Sequence, residues 1–282
     1  MKAQPECDLC FQRQARDAAA RIGLSPEHTD TLLDEVRREL ARIPGDVTPP
    51  VRASRIHALV REISGDPDPY RSAKQEATRH ALSLYPRLRR MLDQADDPLE
   101  TAVRLAIAGN IIDLGVASEY DLEASIERVL AQPLTIDHLE RLRAALKGAR
   151  EVLYLADNAG ETVLDRLLIE VLEPPVTYVV KGGPAVNDAT REDARAAGLE
   201  GKCEIIDNGA ATLGTLLERC SPEMRRRFAA ADVVIAKGMA NYESLSGTRA
   251  GLFFLLQAKC AVIAGHLGLP ERSLLVLEDR PE

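Results

Sequence analysis

Four short polar segments each follow directly on a run of apolar residues. Asp157-Asn158-Ala159-Gly160-Glu161 follows Val152–Ala156. Lys181-Gly182-Gly183-Pro184, and then Asn187-Asp188, follow Val176–Val180. Asp207-Asn208-Gly209 follows Cys203–Ile206, and Lys237-Gly238-Met239-Ala240-Asn241-Tyr242-Glu243 follows Val233–Ala236. Asp157, Asn158 and Asp188 offer two carboxylates and one amide carbonyl. Such hard oxygen ligands suit Mg²⁺, Mn²⁺ or a related divalent ion rather than structural zinc. Lys181 and Lys237 supply the positive charge that phosphate capture requires. Gly160, Gly182, Gly183 and Gly238 let backbone N–H groups approach an anion, and a helix starting near Gly160 would aim its N-terminus the same way. The combined chemistry is that of a metal-assisted phosphoryl site. Taken singly, each segment also reads as a turn, an Asx cap or a solvated lysine. The argument depends on one fold bringing them to one rim.

Short apolar runs alternating with helical segments build such a rim. They are Val152–Ala156, Val176–Val180, Cys203–Ile206, Val233–Ala236, Phe253–Leu256 and Leu274–Leu277. Their spacing suits helical crossovers, and their continuous apolar character suits strands covered on both faces. The expectation for residues 149–282 is therefore an α/β/α three-layer, Rossmann-like domain with a mostly parallel sheet. Ligands of open parallel sheets bind at the carboxyl ends of the strands, where these polar segments fall. Residues 1–148 read instead as helix after helix, with no competing strand pattern. Ser25-Pro26 starts one helix to about Arg42, another covers about Pro50–Ile63, and a long one follows Asp68-Pro69-Tyr70 to about Gln94, with Pro86 as a candidate bend. Asp97-Pro98 starts one to Leu114, stopped at Gly115, and two more cover about Glu119–Ala131 and Ile136–Gly148.

The chain has 282 residues with 36 Lys+Arg against 44 Asp+Glu, a net charge of −8. That balance disfavours non-specific nucleic-acid binding, which needs a basic face. Most of the net negative charge lies beyond residue 150, where it reads mainly as solvated surface. Hydrophobic residues at 45% give ample core and exclude disorder. No apolar run approaches the ~18 residues of a membrane span. The polar stretch Met1 to Asp17 does not read as a signal peptide, and the odd set Cys7, Cys10, Cys203, Cys220 and Cys260 reads as reduced thiols in a cytoplasm.

Three long segments resemble the damage-control phosphatase family. They are Leu155 to Glu161, Val180 to Thr190 and Ala236 to Glu243. Ala108-Gly109-Asn110-Ile111-Ile112-Asp113, Cys7-Asp8-Leu9-Cys10 and Asp68-Pro69-Tyr70 with Lys74 resemble its small prokaryotic branch. The resemblance runs from residue 7 to about residue 260. It implies a helical N-terminal part, an α/β/α C-terminal domain and metal-dependent hydrolysis of phosphate esters of small or damaged metabolites such as sugar phosphates. It also implies that Asp157, Asn158 and Asp188 hold Mn²⁺, Ni²⁺, Co²⁺ or Mg²⁺, and it adds Asn110 to the pocket.

The expected mechanism has that metal polarise the phosphoryl oxygens and activate a water, with Lys181 and Lys237 neutralising the transferred group. Gly160, Glu161, Asn187, Asn241 and Glu243 are expected to border the substrate. Attack by Asp157 itself is the less favoured route, because the Asp-x-Asp pattern of haloacid-dehalogenase phosphatases is absent. Two other functions fit a Rossmann-like domain. One is an S-adenosylmethionine-dependent methyltransferase, which wants a Gly-x-Gly loop that Asp157 to Glu161 lacks. The other is a metal or metabolite sensor without turnover. Cys7 and Cys10 begin a helix with no preceding strand and have no second pair at zinc spacing, so they stay outside the metal site. The histidines show no ligand spacing, and His28, His57, His80 and His138 are expected on helix surfaces.

Overall fold

The computed structural model describes residues 1–110 and 122–280. It opens with helices α1 (Pro5–Arg21), α2 (Pro26–Arg42) and α3 (Pro49–Ser64). Each carries proline in its first turn, where the missing N–H costs nothing. Ser25 caps α2 by accepting from the His28 N–H at 3.3 Å. Helix α4 (Arg71–Asp93) continues through Pro86, and α5 (Pro98–Gly109) is capped by Asp97, which accepts from the Glu100 N–H at 3.0 Å. The segment Ile111-Ile112-Asp113, the expected helix end at Leu114-Gly115 and the expected start near Glu119 lie outside the described residues.

After α6 (Leu122–Ala131) the structure departs from the expected helix over Ile136–Gly148. Ile136–Asp137 forms a short strand, β1, and α7 spans Leu139–Gly148. The pull is tertiary. Thr135 N–H donates to Leu274 O at 2.8 Å and His138 N–H to Val276 O at 2.9 Å, which hold these residues extended against the sheet. Asp137 then accepts from the Leu139 N–H at 3.0 Å and starts the helix.

The expected alternation follows: β2 (Val152–Leu155), α8 (Thr162–Ile169), β3 (Val176–Val180), α9 (Arg191–Ala196), β4 (Glu204–Asp207), α10 (Pro222–Ala230), β5 (Val233–Lys237), α11 (Gly238–Leu245), β6 (Leu252–Gln257), α12 (Ala261–Leu267) and β7 (Leu274–Glu278). The strands form one seven-stranded sheet in the order β1-β7-β6-β5-β2-β3-β4, parallel except between β6 and β7. Alternate residues face opposite layers. Tyr154, Tyr178, Ile235 and Phe253 join one core with α4, α5 and α8, while Leu153, Val179, Val234 and Phe254 join another with α10, α11 and α12.

Helices α1–α3 build a third core around Phe11, Ala15, Val36, Ile56 and Val60. Tyr70 and Val186, the latter from the loop after β3, insert into it. His57 belongs to this interior rather than to a helix surface. It is buried, and its Nε2 lies 3.0 Å from Gln14 Oε1. Burial, with Arg61 second, lowers its pKa to about 3. The unfolded chain binds a proton as pH falls below about 6.5 and the folded chain does not, so stability is lost between about pH 6.5 and 3. Between pH 8 and pH 5 the protein is expected to lose about 2 kcal/mol more than its His57→Gln variant. Denaturant midpoints at the two pH values check this, and parallel losses would remove His57 from acid sensitivity.

Candidate active site

The chain runs outward through β2, β3 and β4, then returns to place β5 on the other side of β2. The order of strands reverses there, and such a switch point opens a crevice at the carboxyl ends. Leu155 pairs with both Val179 and Ala236, so the strand ends are level. Asp157 follows β2 and Gly238 follows β5. Gly238 has φ +78°, and a Cβ there would lie 1.9 Å from Asp157 Oδ2. The Asp157 carboxyl therefore rests on a bare Cα, a position only glycine permits.

The loop after β3 bends back over the loop after β2. Asn158 and Asp188 form an antiparallel bridge, Ala159 N–H donates to Asn187 O at 2.8 Å, and Ala189 N–H donates to Asp157 O at 2.8 Å. Val186 takes φ +53° at the start of this return, a costly conformation for a β-branched residue. Lys74 on α4 anchors the far end. Its Nζ lies 3.0 Å from Asp68 and 3.3 Å from Asp193, and Asp193 also accepts from the Thr190 N–H and hydroxyl. The result is a cavity of about 450 Å³ with Asp157, Asn158, Asn187 and Asp188 at its base and Glu243 in its wall. Burial pushes the Glu243 carboxyl up to about 8, against the pull of the N-terminal ammonium.

Behind that base lies a buried polar network. Asn110 Nδ2 donates to Asp157 Oδ2 at 2.9 Å and to Glu161 Oε2 at 3.2 Å. Asn158 Nδ2 donates to the same two atoms at 3.1 and 2.9 Å, and Asn187 Nδ2 donates to Asn158 Oδ1 at 2.8 Å. Glu161 is wholly buried and pairs through Oε1 with Lys237. Lys237 Nζ also meets Asp165 at 2.6 Å and donates to Ala106 O at 2.9 Å. Burial alone would pull the Lys237 pKa down, but Asp165 and Glu161 more than offset it and the net shift is upward. Burial raises the Asp165 pKa, against Lys237. Tyr154 and Tyr178 hydroxyls donate to the two Asp165 oxygens at 2.7 and 2.8 Å.

The sequence-predicted residues thus sort by place. Asp157, Asn158, Asn187, Asp188 and Glu243 border the cavity. Glu161 and Asn110 stand one layer back, orienting Asp157 and Asn158. Lys181 is buried 3.3 Å from Asp188 Oδ2 and donates to Gly214 O, and Lys237 is enclosed by its acids, so neither ammonium lines the cavity. Asn241 ties strand ends together by donating to Ala156 O and Lys237 O. Gly160 and Gly182 serve close packing: a Cβ would come 2.9 Å from Ala77 Cβ and 2.7 Å from Ala210 N, respectively. The cavity walls from α1, α3 and α12 escaped the sequence reading, apart from the signal of Cys7 and Cys10 at the start of α1.

Among the described residues, no three His, Cys, Asp or Glu side chains are placed to hold a metal. A cation here would take two carboxylates, the Asn158 amide oxygen and waters, a donor set that suits hard divalent ions. The placement fits one. Asp157 and Asp188 sit at the cavity base, only 7% and 2% exposed, and Lys181, 3.3 Å from Asp188 Oδ2, is not among the residues that line the cavity. Asn110 Oδ1, beside Asp157, is buried without a hydrogen-bond partner.

Known proteins share this architecture. The model of the damage-control phosphatase ARMT1-like domain matches residues 3–275. An uncharacterised protein of Methanocaldococcus jannaschii is 35% identical over 95% of this chain and 93% of its own length. A damage-control phosphatase of Archaeoglobus fulgidus is 34% identical over 95% and 96%, and one of Pyrococcus horikoshii is 33% identical over 99% of both chains. The crystal structure of a DUF89 family protein from Pyrococcus horikoshii superposes with a TM-score of 0.90 and 31% identity over 99% of this chain and all of that one. Full-length likeness in sequence and fold, covering every segment of the cavity base, shows that the chain belongs to the damage-control phosphatase ARMT1-like family.

Proposed function

We propose that the protein is a metal-dependent phosphatase that hydrolyses phosphate monoesters of small metabolites, with sugar phosphates among the first to assay. The observation that carries the reading is the convergence of Asp157, Asn158, Asn187 and Asp188 on one cavity base at the switch point of the sheet. Relatives named damage-control phosphatases support it. Asp157, the Asn158 carbonyl oxygen and Asp188 would hold Mn²⁺, Ni²⁺, Co²⁺ or Mg²⁺. Such an ion polarises a phosphoryl oxygen and lowers the pKa of water.

The protein's own groups do the positioning. The amides of Asn110 and Asn158 fix Asp157 Oδ2 by two hydrogen bonds. Lys181 places its ammonium 3.3 Å from Asp188 Oδ2. The Glu161–Lys237 pair holds the Asn158 amide with its oxygen turned from Glu161. A water oxygen bonds to phosphorus while the ester P–O bond breaks, and the alcohol leaves with a proton. Helices α1 and α3 contribute one wall of the cavity, and the loops after β2 and β3 contribute the base. A cytoplasmic setting fits the reduced cysteines; among the described residues no helix is long and apolar enough to cross a membrane.

The test is phosphate release from a panel of sugar, polyol, alkyl and aryl phosphates with each of the four ions. Chelation is expected to lower release at least about tenfold, and added metal to restore it. Release untouched by chelation, or absent with every ion, would overturn the reading.

A further inference from the structure

The alcohol that leaves a phosphate ester needs a proton, and the cavity offers few groups to give one. Among the described residues that border it there is no histidine or tyrosine. Burial raises the pKa of Cys7 and Cys260, so both thiols are weak acids. Glu6 and Arg13 border the cavity but are exposed, which puts them at its mouth. Gln14 and Lys259 are half-buried in the wall and offer hydrogen bonds to the hydroxyls of a sugar. Glu243 is half-buried as well. Its carboxyl, raised to about 8 by burial, holds a proton at neutral pH.

Helix α11 sets the place of Glu243. The helix begins at Gly238, whose Cα supports the Asp157 carboxyl, and Met239, Ala240 and Glu243 all border the cavity. Residues four apart share a helix face, with about 5–6 Å between Cβ atoms, so Glu243 stands one turn beyond Met239 on the cavity side. The base is backed by Asn110, Glu161 and Lys237. An ester bound at the base therefore directs its alcohol half away from them, into the cavity that Glu243 borders. The groups whose charge reaches Glu243 are the Met1 ammonium, whose nitrogen also donates to the Glu243 carbonyl oxygen at 3.3 Å, and the Cys7 and Cys260 thiols. Helix α3 brings Pro49, Pro50 and Ala53 to the cavity, none of them charged. We propose that Glu243 is the acid that protonates the departing alcohol oxygen. As the ester P–O bond breaks, the carboxyl proton moves to that oxygen and the O–H electron pair stays on Glu243. The attacking water bonds to phosphorus, and its surplus proton stays with the phosphate or passes to solvent. Glu243 then regains a proton from solvent, so one ester and one water give one alcohol and one hydrogen phosphate. The inference rests on the phosphatase reading above and adds a catalytic residue to it.

The experiment uses the full-length protein loaded with its most activating ion. It compares the sugar or alkyl phosphate turned over fastest with p-nitrophenyl phosphate, whose phenolate leaves without a proton. Glu243→Gln is expected to lower kcat for the first ester at least about a hundredfold, and for the second at most severalfold. The wild-type kcat/KM for the first ester should fall above about pH 8, where the carboxyl loses its proton, and the variant should lack that fall. Lys259→Met is expected instead to raise KM for a sugar ester; if it reproduces the contrast between the two esters, the acid is Lys259 and the proposal is overturned. Circular dichroism establishes that the variants are folded. A second measurement needs no variant: across phenyl phosphates of graded phenol acidity the wild-type kcat should change little, and a steep dependence would overturn the assignment. Equal losses on both esters, a loss carried by KM alone, or turnover confined to p-nitrophenyl phosphate would do the same and leave the phosphatase reading standing. Failure to hydrolyse any ester with any ion would instead overturn the phosphatase reading, and this inference with it.

Discussion

Gly238→Ala protein is expected to lose about two to three orders of magnitude in kcat/KM for phosphate release, comparable to Asp157→Asn. The added methyl would lie 1.9 Å from Asp157 Oδ2, 2.4 Å from its Cγ and 2.9 Å from Asn110 Nδ2. Both carboxyl and amide must move, and the two hydrogen bonds that fix Asp157 go with them. Alanine also pays the left-handed conformation at φ +78°, about 1–2 kcal/mol. That strain alone would lower stability and leave chemistry intact, so the two effects separate. Denaturation midpoints report the strain, and kcat/KM of the folded protein reports the displaced carboxylate. A folded Gly238→Ala protein with normal kcat/KM would show that the placement of Asp157 on this Cα is dispensable.

Lys237→Met is expected to cost the fold about 3–5 kcal/mol. Lys237, Glu161 and Asp165 are all wholly excluded from solvent, so removing the ammonium strands two carboxylates. The Coulombic loss and the unanswered desolvation act in the same direction, and methionine's similar volume rules out a cavity as the cause. Adding Asp165→Asn should restore part of the loss, because one stranded charge then disappears, while one tyrosine hydroxyl still donates to the amide oxygen and the other can accept from the amide nitrogen. Urea titrations of the single and double variants measure the coupling. A loss below about 1 kcal/mol would mean that the pair is screened by water.

What could be read from the sequence was local. An apolar run followed by Asp157-Asn158 or Lys237-Gly238 carries strand and strand end within ten residues, so the sheet and its polar rim were visible. What depended on contacts between distant segments was not. Nothing near Lys237 announces that its partners are Glu161, the N-cap of α8, and Asp165 within α8, so a lysine expected at the phosphoryl group lies behind the cavity base. Ile136 and Asp137 carry helical periodicity and become strand only because β7 offers an open edge. His57 sits at a helical position like other exposed histidines, and only the packing of α1 against α3 buries it.

Val186 gives the molecule a mechanical coupling. Its side chain is seated in the α1–α3 core, and its strained backbone leads directly into Asn187 and Asp188. The strain persists only while that core grips the side chain. Loosening of the three-helix bundle would release the φ of Val186, and the Asn158–Asp188 bridge would lose its anchor at the same moment. Local opening of the bundle is therefore expected to disturb the cavity base, and hydrogen exchange at Asn187 and Asp188 rising together with exchange in α1–α3 would show it.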